Sequence, residues 1–150
     1  MAELLYYDDL QVGQSFTTET LRVTAEEIKA FARQFDPQPF HLDDDAARAT
    51  MFGGLAASGW HTAALAMRLI VGSGPPIAGG IAGSGIDELR WLRPVRPGDE
   101  LRVQSEVVEM RPSASRPTQG WVRMRNTVIA QDGAAVMSFI ANLIVPRRQG

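Results

Sequence analysis

The stretch Ala63-Ala64-Leu65-Ala66-Met67-Arg68-Leu69-Ile70-Val71 constrains the fold more than any other part of the chain. Its residue types favour a helix, and Arg68 is its only charge. A helix without a polar face belongs in an interior, so other elements must enclose it. Ser58-Gly59 opens this helix, and Gly72-Ser73-Gly74-Pro75-Pro76 ends it. The enclosing elements come afterwards. Ile86 to Leu92 reads as a strand, Leu101, Val103, Ser105 and Val107 alternate in a second, and Trp121 to Ala130 and Ala134 to Val145 form two more. The turns between them are Arg93 to Asp99, Arg111 to Gly120 and the hairpin signal Gln131-Asp132-Gly133. A flat sheet cannot bury such a helix, but a strongly curved antiparallel sheet can, with its open edge or far face covered by a second copy. The pattern therefore predicts a single α+β domain over residues 1–150 that forms a homodimer.

Ahead of that helix the chain alternates two kinds of signal. Gln14 to Val23 is threonine-rich with alternating apolar residues and predicts a strand. Thr24-Ala25-Glu26-Glu27 is a capping box, and the helix behind it carries Ile28, Phe31, Ala32 and Phe35 on one stripe. Asp36-Pro37 stops it. Asp43-Asp44-Asp45 precedes Ala46-Ala47-Arg48, where acids suit the positive first turn of a short helix. The Asp-x-Asp-x-Asp-Gly spacing of a calcium loop is absent, so no metal site is expected. The glycines of Gly79 to Gly85 match neither the dinucleotide fingerprint nor the Walker pattern. Residues 72–85 are read as a mobile loop.

Bulk properties narrow the function classes. A net charge of −2 gives no electrostatic case for nucleic acid or an anionic membrane. With no cysteine there is no disulfide framework, no thiol nucleophile and no cysteine metal site, which suits a cytoplasmic protein. The first nine residues lack a basic segment followed by an apolar run, and no uncharged apolar run is long enough to span a bilayer.

The chemistry concentrates in Phe35-Asp36-Pro37-Gln38-Pro39-Phe40-His41. Fully extended, the five steps from Asp36 to His41 would span roughly 17 Å, so the two side chains meet only if the segment bends. Each proline fixes its own φ and pushes the residue before it out of the helical region. A stiff bend carrying one carboxylate and one imidazole is a way to hold a water between an acid and a base. The first turn of the apolar helix, beginning at Ser58-Gly59, offers unpaired backbone N–H groups, and Gly59 lets a ligand oxygen approach them. Together, Asp36, His41 and the Gly59 amide supply what addition of water across a C=C bond beside a thioester requires: polarised water, a proton carrier, and a donor for the enolate oxygen.

These residues carry a family resemblance. Asp36-Pro37-Gln38-Pro39-Phe40-His41-Leu42-Asp43, Ser58-Gly59-Trp60-His61-Thr62-Ala63-Ala64-Leu65 and Leu92-Arg93-Pro94-Val95-Arg96-Pro97-Gly98-Asp99 resemble the MaoC-like dehydratases, hotdog-fold proteins that include the (R)-specific enoyl-CoA hydratases. The similarity covers roughly residues 8 to 146. It implies a curved antiparallel sheet around a central helix and an active site at a dimer interface. It also implies syn hydration of a trans-2-enoyl-CoA, with Asp36 and His41 bracketing the water and the Gly59 amide facing the thioester carbonyl. No cofactor is implied beyond the coenzyme A of the substrate. The chain departs from the family pattern in Phe35 and Gln38, where glycine and asparagine are frequent, and in Ser58, where histidine is frequent. Ser58, Gln38 and Trp60 are expected at the substrate, and Arg93 and Arg96, among Arg90, Arg111 and Arg116, at coenzyme A phosphates. His61 is read as structural, and Trp121 as core or interface. A hotdog thioesterase and a non-catalytic acyl-thioester-binding subunit are the rival readings, since fold does not fix function.

Overall fold

The computed structural model describes residues 3–148. After a short 3-10 turn at Tyr7–Asp9 come β1 (Ser15–Thr17), β2 (Leu21–Arg22), α1 (Ala25–Phe35), α2 (Pro39–Leu42), α3 (Asp44–Arg48) and α4 (Gly59–Ser73). Four long strands follow: β3 (Ala82–Trp91), β4 (Glu100–Pro112), β5 (Gln119–Ile129) and β6 (Ala135–Pro146). The sheet is antiparallel with order β1-β4-β5-β6-β3, and β2 also pairs with β4. Among the described residues no helix is long and apolar enough to cross a membrane.

The sheet curves because the ladder slips. Register shifts lie between Asp87 and Arg90, between Val107 and Glu109, and between Val128 and Ile129. Each places an extra residue on one strand, which bends it and tightens the twist. At the first shift Glu88 takes the left-handed φ of 51°. Val103, Val107, Val122, Met124, Phe139 and Leu143 turn inward onto Leu65, Ala66, Leu69 and Ile70 of α4, forming one core. The fold is thus the hotdog arrangement, a long helix held in the curve of an antiparallel sheet.

The sheet covers one side of the apolar helix, as a single curved sheet should, and Trp60, Met67 and Val71 lie exposed on the other. Two expectations need correction. The strand expected over Gln14 to Val23 is two short strands, because Thr18 interrupts the ladder. The Val103 N–H donates to the Thr18 hydroxyl at 2.9 Å, and that hydroxyl donates to the Glu19 carbonyl at 2.8 Å. Finally, part of the expected loop 72–85 is ordered into the sheet, since Ala82 and Gly83 pair with Ile144 and Leu143. Glycine-rich sequence hid a strand whose ladder needs only backbone.

Candidate functional site

The bend forms as its prolines require. Thr24 caps α1 through Glu27 N–H, and the Asp36 N–H still closes onto the Ala32 carbonyl at 2.9 Å before the chain turns. Asp36 leaves the helix at φ −153° and ψ 66°, and Pro39 starts α2 at a position where its missing N–H costs nothing. The single turn of α2 swings His41 back, so that Nε2 lies 3.4 Å from Asp36 Oδ2.

The imidazole is almost entirely buried, and its orientation is fixed. Nδ1 is 2.6 Å from the Ala56 carbonyl oxygen. A carbonyl only accepts, so Nδ1 carries the proton and Nε2 is the nitrogen that gains or loses one. Phe40 stands edge-on to the ring at 4.6 Å, and Phe52 lies 6.0 Å away.

Asp36 is held ionised against its surroundings. Burial by itself would raise its pKa. Hydrogen bonds from Ser58 and then Gln38, with the nearby His41 charge, outweigh it and leave the carboxyl below the ordinary aspartate range. Gln38 Nε2 donates to Asp36 Oδ1 at 2.5 Å. The Ser58 hydroxyl, fully buried, accepts from the Trp60 N–H at 3.3 Å as cap of α4, which leaves its own proton for the carboxylate. Two of the expected substrate residues, Ser58 and Gln38, thus act on Asp36.

Asp36 and His41 open onto a cleft of about 470 Å³. Gly59, Trp60 and Thr62 of α4 line it together with Trp91 to Val95. Its walls are mostly apolar, with Met51, Phe52 and Val136 completing them. Gly59 is the first residue of α4, so its N–H has no carbonyl within the helix to reach. Two other concavities, of about 580 and 510 Å³, are larger. They lie beside Arg147 and Arg148, and on the outer sheet face round Arg123, and neither contains an imidazole.

The two arginines expected at phosphate part company. Arg93 lines the cleft and makes a two-pronged pair with Asp132 at 2.8 and 3.2 Å, which brings the Asp132 pKa down to about 2. Arg96 is placed otherwise than expected. Its guanidinium donates to the carbonyls of Gly54 at 2.8 Å, Leu55 at 3.2 Å and Phe52, so it holds the loop that leads to Ala56. Arg90 pairs loosely with Glu88 at 3.9 Å, and Arg111 lies over Trp121. His61, expected to be structural, is buried against Phe31, with ring centroids 4.9 Å apart.

Trp91, Met51, Phe52, Leu92 and Val136 line the cleft without having been singled out from the sequence. One signal pointed towards Trp91. A glycine in the first turn of a long helix asks for a close neighbour, although the chain alone does not say which.

Comparison with known proteins places this geometry in a family context. The sequence profile described as MaoC like domain matches residues 9–130. A solved structure described as the MaoC-like dehydratase from Rhodospirillum rubrum is 52% identical; the match covers 97% of this chain and 99% of that one, with a TM-score of 0.94. The 3-hydroxybutyryl-CoA dehydratase of Methylorubrum extorquens is 31% identical over 137 residues, 89% of this chain and 83% of that protein. The R-hydratase PhaJ1 from Pseudomonas aeruginosa is 32% identical over 95% of this chain and 86% of that one, with a TM-score of 0.77.

Proposed function

The chain belongs to the MaoC-like domain family, and from that premise we propose that it is a hydro-lyase interconverting a trans-2-enoyl-CoA and an (R)-3-hydroxyacyl-CoA. The observation that carries the reading is the Asp36–His41 pair, 3.4 Å apart at the edge of an apolar cleft that the first turn of α4 also lines. Relatives described as a dehydratase of 3-hydroxybutyryl-CoA and an R-hydratase support it.

In the hydration direction, the water oxygen bonds to C3 as the Asp36–His41 pair takes up its proton. Negative charge gathers on the thioester oxygen, where the Gly59 N–H meets it. The proton then returns to C2, so water is added and nothing else is consumed. Ionised Asp36 and the Nε2 lone pair of His41 are the groups able to accept a proton here. One oxyanion donor is worth about 3–4 kcal/mol. Trp60 flanks the acyl group, and Arg93, exchanging Asp132 for a phosphate, meets the coenzyme. No cofactor enters the scheme.

The functional unit in this reading is a homodimer. Among the described residues β3 pairs only with β6, along one edge, and it carries exposed Ile86 and Trp91 on a strand of ten residues. Such an open edge, together with the uncovered side of α4, is a surface for a second copy.

Crotonyl-CoA tests the reading. Loss of the enoyl absorbance without release of free thiol is the expected result. Thiol release would assign a thioesterase instead. Binding with neither change would leave a non-catalytic acyl-thioester subunit.

A further inference from the structure

At Gly59 the space a side chain would fill is occupied by Trp91. A Cβ built there would fall 2.6 Å from the indole Nε1 and 2.8 Å from Cδ2. The same indole donates its N–H to the Gly59 carbonyl at 2.8 Å, and Trp60 stands edge-on to it at 5.0 Å. Trp91 is the last residue of β3, opposite Met137 of β6, and its ring forms part of the cleft wall. A residue at the sheet edge therefore grips the first turn of the helix from 32 positions away, with its ring against the Cα and its donor on the carbonyl.

We propose that Trp91 is a positioning residue. It clamps the first turn of α4 so that the Gly59 N–H points into the cleft, and Gly59 lacks a side chain to seat the indole. The proposal rests on the reading of Gly59 as the donor to the thioester oxygen.

The opening turn of a helix has the fewest backbone bonds and opens most readily. A donor that loses its direction there stabilises nothing, and a displacement of about 1 Å at a reacting group costs about 10² in rate. Trp91 pins the turn from the side opposite the helix, at a residue with no side chain of its own to hold it. Trp91 is also 44% exposed, so its contribution to the core is small and its contribution to location is not.

Four variants test this, with crotonyl-CoA as substrate. Trp91→Phe keeps a ring against Gly59 and loses the donor; Trp91→Ala loses both. Gly59→Ala drives the ring away, and the double variant Gly59→Ala with Trp91→Ala gives the new methyl room. Trp91→Phe is expected to lower kcat about tenfold with KM within about twofold, the signature of an interaction made in the transition state. Gly59→Ala is expected to lower it about 10²-fold, and the double variant to recover about tenfold over Gly59→Ala. The melting temperature of Trp91→Phe should stay near that of the wild type, which separates positioning from bulk stability. Wild-type kcat in Trp91→Phe, or a double variant no better than Gly59→Ala, overturns the proposal. Wild-type protein inert towards enoyl thioesters sinks the hydro-lyase reading by itself. The clamp is then decided by thermal melts of the same proteins: strongly non-additive shifts support it, and additive shifts overturn it.

Discussion

The chain has two histidines, and their surroundings show how differently one residue type can be used. Both are 5% exposed, and both sit in the first turn or two of a helix. His41 has its Nδ1 tied to the Ala56 carbonyl, and its Nε2 lies 3.4 Å from Asp36 across the edge of the cleft. His61 is stacked on Phe31, and its buried Nδ1 has no partner among the described residues. Burial holds the His61 pKa below its ordinary value, and the charge of Glu27 offsets that only in part. Burial alone makes a histidine neutral and inert. Burial beside a carboxylate, with one nitrogen tied down, is the arrangement that the proposed proton transfer at His41 requires.

The sharpest test of that contrast removes each ring. His41→Ala and Asp36→Asn should each cut hydration of crotonyl-CoA by at least about 10². His61→Leu should leave turnover within about threefold, as expected of a residue that only fills space. Equal losses at both histidines would erase the distinction.

Next in size is the loop that carries the His41 anchor. Arg96 binds three carbonyls of residues 52–55, immediately before Ala56. Arg96→Ala should cost about 1.5–3 kcal/mol in denaturant unfolding, because it strands carbonyls that a charged donor satisfied. It should also lower kcat by loosening the His41 tether. Arg93→Ala, which breaks a solvent-screened pair, should leave the denaturation midpoint close to that of the wild type.

A smaller effect is expected at Gln38. Its hydrogen bond, after that of Ser58, helps keep Asp36 ionised. Gln38→Ala should therefore raise the Asp36 pKa and move the acid limb of the kcat/KM profile to higher pH. An acid limb at the wild-type position would show that Ser58 suffices.

The smallest effect is the pH dependence of stability at His61. Its folded pKa lies below its value in the unfolded chain, so the unfolded chain binds the proton first as pH falls. The stability it contributes is complete above about pH 6.5 and declines as pH drops through the folded pKa. His61→Leu should flatten that part of a plot of unfolding free energy against pH. An unchanged slope would move the effect to another group.

Much of this arrangement could be read from the chain. The capping box placed the start of α1, Asp36-Pro37 placed its end, and the paired prolines required the bend that brings Asp36 and His41 together. The Asp run before α3 was read correctly as a cap: Asp43 accepts from the Asp45 N–H at 3.0 Å. The readings that failed share a cause. Thr18 splits a strand through a partner 85 positions away, Arg96 is taken by carbonyls more than 40 positions away, and Ala82 and Gly83 join a strand some 60 positions on. Periodicity and propensity report on neighbours along the chain and are silent about such pairs.

By itself, then, the order of residues decided most of the elements, the need for a bend between Asp36 and His41 and the chemical types at the site, since these follow from local sterics and hydrophobic spacing. Only the folded structure decided that the Ala56 carbonyl selects the His41 tautomer, that Ser58 and Gln38 serve Asp36, and that Trp91 occupies the space Gly59 leaves. The Ala56, Ser58 and Trp91 contacts join residues far apart in the chain, and the last needs the edge strand of the curved sheet. That curvature arises from slips in register across several strands, which no short window of sequence contains.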